Sequence, residues 1–72
     1  EPMINTAAVK ARMRALGVTQ REAAEKVGCR QATLSLKINN RRPMTLEEAW
    51  ALAKLLGAEE ELRGFFFAEG GG

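Results

Sequence analysis

The sequence predicts an all-α fold of five helices in one compact bundle, and three observations carry that expectation. The segments between Gly17, Gly28, Pro43, Gly57 and Gly64 space their apolar residues as helices do, not in the alternation of strands. Two of those segments open on Thr-x-x-Glu, the pattern of a capping box. The third observation is what the chain lacks. Its 72 residues, 46% apolar and 28% charged, make one small globular domain, yet there is no histidine and only one cysteine, Cys29. Neither an intramolecular disulfide nor an ordinary zinc site can staple it, which leaves well-formed helix packing or self-association.

The first helix is expected at residues 6 to 16, with Asn5 as N-cap, Ile4 and Val9 as a hydrophobic staple, and Val9, Met13 and Leu16 inward. Lys10, Arg12 and Arg14 read as its solvated outer face. The box Thr19-Gln20-Arg21-Glu22 starts a second helix over 20 to 27, packed by Ala23, Ala24 and Val27. Gly28 supplies the positive φ of a tight turn. A third helix follows at 31 to 38, with Leu34 and Ile38 inward and Gln31, Ala32 and Ser35 outward.

After the turn-rich Asn39-Asn40-Arg41-Arg42-Pro43, the box Thr45-Leu46-Glu47-Glu48 opens a fourth helix over 46 to 56. Leu46, Ala49, Trp50, Ala53 and Leu56 share its face, widened by Leu52 and Leu55, so Trp50 reads as core. Glu59 to Glu61 suit the first turn of a fifth helix over 60 to 67, with Leu62, Phe65 and Phe66 as its apolar side. The domain thus spans 3 to 67, and 68 to 72 read as a flexible tail. Such a helix cannot bury all of Phe65, Phe66 and Phe67, so they are candidate homodimer contacts.

Composition also bears on function. Without His or Tyr, and with one Cys, the chain lacks the groups that most often act as acid, base or nucleophile, so it does not read as an enzyme and needs no cofactor. No apolar run approaches the roughly 20 residues of a membrane span, and no leader pattern is present, so the expected location is cytoplasmic. The formal net charge of +2 hides an asymmetry: residues 1 to 44 carry nine Lys/Arg against three acids, whereas 45 to 72 carry two against six. The basic half is where a polyanion would bind.

Two short helices joined by a three-residue turn with glycine form a helix-turn-helix pattern, whose second helix protrudes far enough to enter a groove about 12 Å wide. The run Leu16-Gly17-Val18-Thr19-Gln20-Arg21-Glu22-Ala23-Ala24-Glu25-Lys26-Val27-Gly28-Cys29-Arg30-Gln31-Ala32-Thr33-Leu34-Ser35 resembles the phage repressor and Cro-like, or XRE, family. The resemblance continues through Arg41-Arg42-Pro43 and is greatest toward small phage-encoded regulators. It implies a lambda-repressor-like bundle that binds double-stranded operator DNA as a homodimer, in a bacterial cell or phage-infected host, at the nucleoid.

By that resemblance Gln31, Ala32 and Ser35 match the positions that meet base edges, and Gln20, Asn40, Arg41 and Arg42 those that meet phosphate. Lys37, inside an acid-free stretch from 30 to 42, joins the phosphate set. Arg30 stands where the family usually has a capping Ser or Thr; a guanidinium cannot accept a backbone N–H, so Arg30 is read as a base contact. Leu36 also departs from the pattern and is either exposed or carried inward by a rotated helix end. Cys29 reads as a packed turn residue. Two other functions fit the same residues: an antitoxin-like or accessory regulator that also binds a protein partner, and a helix-turn-helix used only for protein interaction.

Overall fold

The computed structural model describes residues 3 to 61, with helices α1 (Thr6–Leu16), α2 (Gln20–Val27), α3 (Gln31–Ile38) and α4 (Leu46–Leu55), then a single 3₁₀ turn at Glu59–Glu61. Among the described residues there is no strand, and no helix is long and apolar enough to cross a membrane. Among the described residues the expected five-helix bundle is therefore corrected to four α-helices. Where a fifth should begin, the N–H of Glu61 donates to the carbonyl of Ala58, the tighter i to i−3 bond. None of Glu59 to Glu61 is buried, so the turn offers no apolar stripe to extend as a helix. The remainder of the expected helix, 62 to 67, lies outside the described residues.

Local chemistry accounts for most helix starts. Asn5 accepts from the N–H of Ala8 at 3.2 Å, and Ile4 and Val9 on either side of that first turn are both buried. At α2, Thr19 Oγ1 accepts from Glu22 N–H at 3.1 Å while Glu22 Oε1 accepts from Thr19 N–H at 2.9 Å. Thr45 and Glu48 reproduce that reciprocal pair at α4, again at 3.1 and 2.9 Å. Each such box is worth roughly 0.5–2 kcal/mol. Between α2 and α3, Gly28 takes φ +91°, and a Cβ added there would touch nothing within 4 Å. Glycine is needed at this turn for its backbone angle alone.

The core is built on small residues where helices meet. α2 packs on both α3 and α4. Ala23, Ala24, Ala49, Ala53 and Ala58 are buried there beside Leu34, Ile38, Leu52 and Leu56. Three expected core residues are not in it: Trp50 is 45% exposed, Leu16 53% and Leu46 64%. The buried side of α4 is Ala49, Leu52, Ala53 and Leu56, spaced i, i+3, i+4 and i+7. Small alanines let α2 lie close against that side, which turns Trp50 and Leu46 out toward solvent.

Polar bonds, local and long-range, fasten the end of α3. Thr6 Oγ1 donates to the carbonyl of Ile38 at 2.7 Å, and Asn39 Nδ2 to that of Ser35 at 2.8 Å. Asn40 has φ +62°, the left-handed region, and its side chain brackets Ile4. Oδ1 accepts from Ile4 N–H at 2.8 Å, and Nδ2 donates to Ile4 C=O at 2.9 Å. Asn40→Ala should destabilise the fold by about 1–3 kcal/mol, from two lost hydrogen bonds and the left-handed backbone. Asn40→Gly should cost less by about 1 kcal/mol, since it removes only the bonds. Urea unfolding of both variants measures this; equal losses would show that the backbone angle contributes nothing.

Candidate nucleic-acid interface

The outward side of α3 follows from its inward one. Leu34 and Ile38 are fully buried, which presents Gln31, Ala32, Ser35 and Leu36 on the other side. Arg30, Gln31 and Ala32 are exposed and Ser35 is half-buried. Leu36 is 39% exposed, which resolves the alternative the sequence left open. It is the apolar member of this surface, and an unpaired leucine among polar outward positions was its only signal in the sequence.

Arg30 is the N-cap of α3 by backbone geometry, and its side chain makes no capping hydrogen bond. Its guanidinium, like those of Arg41 and Arg42 at the other end of the helix, is exposed and has no hydrogen bond among the described residues. Arg41 is placed by the backbone, its N–H donating to the carbonyl of Leu36 at 2.8 Å. Beside the arginine pair, Met3, Ile4, Asn40 and Met44 help line a cleft of about 200 Å³. Gln20, the first residue of α2, is half-buried. The structure therefore brings Arg30, Gln31, Ala32, Ser35 and Leu36 onto one helix side, with Arg41 and Arg42 at its end.

Two residues of the expected phosphate set are committed within the fold. Lys37 Nζ donates to Glu48 Oε2 at 2.6 Å, with only 12% of the lysine side chain and 20% of the glutamate's exposed. Asn40 is occupied with Ile4. Of the solvated face expected on α1 only Arg14 is exposed: Lys10 Nζ donates to Asn39 Oδ1 at 3.2 Å. Arg12 donates to the carbonyl of Leu56 at 3.1 Å and to Glu61 Oε1 at 2.7 Å. Both residues flank the buried Val9 and Met13, so their heads lie within reach of the neighbouring helix ends. Cys29 is half-buried against the core. Phe65, Phe66 and Phe67 lie outside the described residues. Among those described, no group of His, Cys, Asp or Glu is placed to hold a metal ion.

Capped α2, a glycine turn and an outward-facing α3 followed by exposed arginines are the parts of a DNA-reading unit. A family model described as helix-turn-helix matches residues 9–62. The chain belongs to this family. As an XRE-type helix-turn-helix protein it is a DNA-binding transcriptional regulator. No curated protein and no solved structure matches the chain.

In this helix-turn-helix unit the posture of α3 depends on one carboxylate. Partial burial raises the pKa of Glu48, but hydrogen bonds from Lys37 and from the Thr45 N–H, with the charge of Lys37, outweigh it and leave the pKa below its ordinary value of 4.5. A group whose pKa is depressed by folding stabilises the fold above its unfolded value, and that contribution is lost as pH falls through the folded one. Stability carried by Glu48 should thus decline from near pH 4.5 downward. Glu48→Gln should cost about 1–2 kcal/mol at neutral pH and lose less on acidification than the parent chain. Urea melts at pH 6 and pH 3 check this; parallel losses in both proteins would show that Glu48 is not a source of the acid sensitivity.

Proposed function

We propose that this regulator is a phage- or prophage-type repressor that binds operator DNA as a homodimer, with α3 of each copy in the major groove of one half-site. The observation that carries the reading is the acid-free surface of α3 and the turn after it. There Arg30, Gln31, Arg41 and Arg42 are all exposed and unbonded among the described residues. Gln31 pairs with adenine through its amide, Ala32 sits against a thymine methyl, and Arg30 and Ser35 complete the base contacts. Arg41, Arg42 and Gln20 meet phosphate, the guanidiniums through paired charge-assisted bonds. Lys37 and Asn40 support phosphate binding from within the fold, holding α3 and its following turn in place.

Repression is by occlusion. A dimer on half-sites about one helical turn, or ~34 Å, apart covers the promoter without catalysis or cofactor, in the cytoplasm of a bacterial or phage-infected cell. Selection of bound duplexes from a random pool should return a two-fold-symmetric site; an asymmetric site would overturn the paired reading. On that site Gln31→Ala should relax preference at one base position. Arg41→Ala should weaken all sequences alike and reduce the salt dependence by about one unit of slope. Titrations at several salt concentrations separate the two roles, and equal loss of specificity from both variants would contradict them.

A further inference from the structure

We propose that the outward face of α4 is a self-association surface, occupied by the same face of a second copy with the two helices antiparallel. Glu47, Trp50, Ala51 and Lys54 are spaced i, i+3, i+4 and i+7, one stripe opposite the buried Ala49, Leu52, Ala53 and Leu56. Trp50 is 45% exposed, and Leu46 on the edge of the stripe is 64% exposed, an unusual placement for the chain's only tryptophan. Neither Glu47 nor Lys54 has a hydrogen bond or ion pair among the described residues.

The charge order identifies the occupant. A two-fold axis between positions 50 and 51 leaves 47 and 54 equally far from it, about 5 Å along the helix on either side. Antiparallel pairing then sets Glu47 of each copy against the partner's Lys54, at both ends of the contact. Parallel pairing would put like charge on like. Trp50 meets the partner's Trp50 beside the axis, and the small Ala51 lets the helices approach. Ala51 and Lys54 of the stripe also line a groove of about 450 Å³, with Lys26 and Leu55. Two ten-residue helices cover less than the ~1,200 Å² of a standard interface, so the free dimer is weak, with Kd roughly in the micromolar range.

This surface deepens the proposed pairing on operator DNA and rests on that reading only for its purpose, since the association is measured without DNA. Sedimentation of the full chain over a concentration series should show monomer and dimer in exchange, with Trp50 emission shifting to the blue as dimer forms. Trp50→Ala should weaken association by about tenfold or more. Glu47→Lys and Lys54→Glu should each weaken it, and the double exchange should restore it to within a few-fold. Failure of that restoration, with circular dichroism showing helix content unchanged, would overturn the proposal. Emission that is already blue and independent of concentration would overturn it too, assigning the cover to residues 62 to 72 of the same chain. Salt-dependent binding of selected duplexes by a chain that stays monomeric would refute this surface while leaving the DNA reading intact.

Discussion

The carboxylate of Glu48 is the joint on which the DNA-reading unit turns. One oxygen closes the capping box of α4 by accepting from Thr45 N–H, and the other receives the ammonium of Lys37 from the last turn of α3. A single side chain thus starts one helix and anchors another. Helix α3 needs the anchor, because eight residues make only about two turns and such a helix is not stable on its own in water. Buried Leu34 and Ile38 set which residues face outward. The ion pair, mostly shielded from solvent, adds a polar tie from α3 to the start of α4.

The same end of α3 is held by other bonds as well. A helix leaves its last carbonyls without partners, and here Thr6, Asn39 and the N–H of Arg41 supply donors to Ile38, Ser35 and Leu36. Asn40 then clamps Ile4, the residue that also staples the start of α1. The first turn of α1 and the turn before the arginine pair therefore form one polar unit. Asn40, which the resemblance assigns to phosphate, and Lys37 hold the frame, and the exposed arginines beside them remain available to a polyanion.

What could be read in the sequence was what is local. Thr19 with Glu22, and Thr45 with Glu48, are separated by three residues and form the reciprocal bonds their spacing implies. The positive φ at Gly28 belongs to the same class. The inward side of α4 was harder, because Leu46, Ala49, Trp50 and Ala53 form nearly as good a stripe as Ala49, Leu52, Ala53 and Leu56. The two stripes differ by a rotation of about 60°, and the alanine face of α2 decides between them. Hydrogen bonds spanning 32 to 44 residues, from Thr6, Arg12 and Asn40, leave no periodic trace at all. At the candidate interface, exposure of Gln31 and Ala32 followed from periodicity, whereas the inward commitment of Lys37 depends on where α4 begins.

The start of α3 shows why a local misfit can mark a working surface. Asn5, Thr19 and Thr45 each accept a backbone N–H at the helix they begin, and Arg30 alone among these four N-cap positions does not. Replacing a capping hydroxyl by a side chain that cannot accept sacrifices about 1 kcal/mol, a loss that the well-capped helices on either side can absorb. In return the first turn of the outward-facing helix carries a planar, permanently charged donor at its leading edge. With Arg30 exposed at that edge and Arg41 and Arg42 exposed at the other end, the outward surface of α3 is favourable for an anion and unfavourable for burial. A chain that leaves the cap unfilled only at the helix its fold turns outward has placed that loss at its exposed surface.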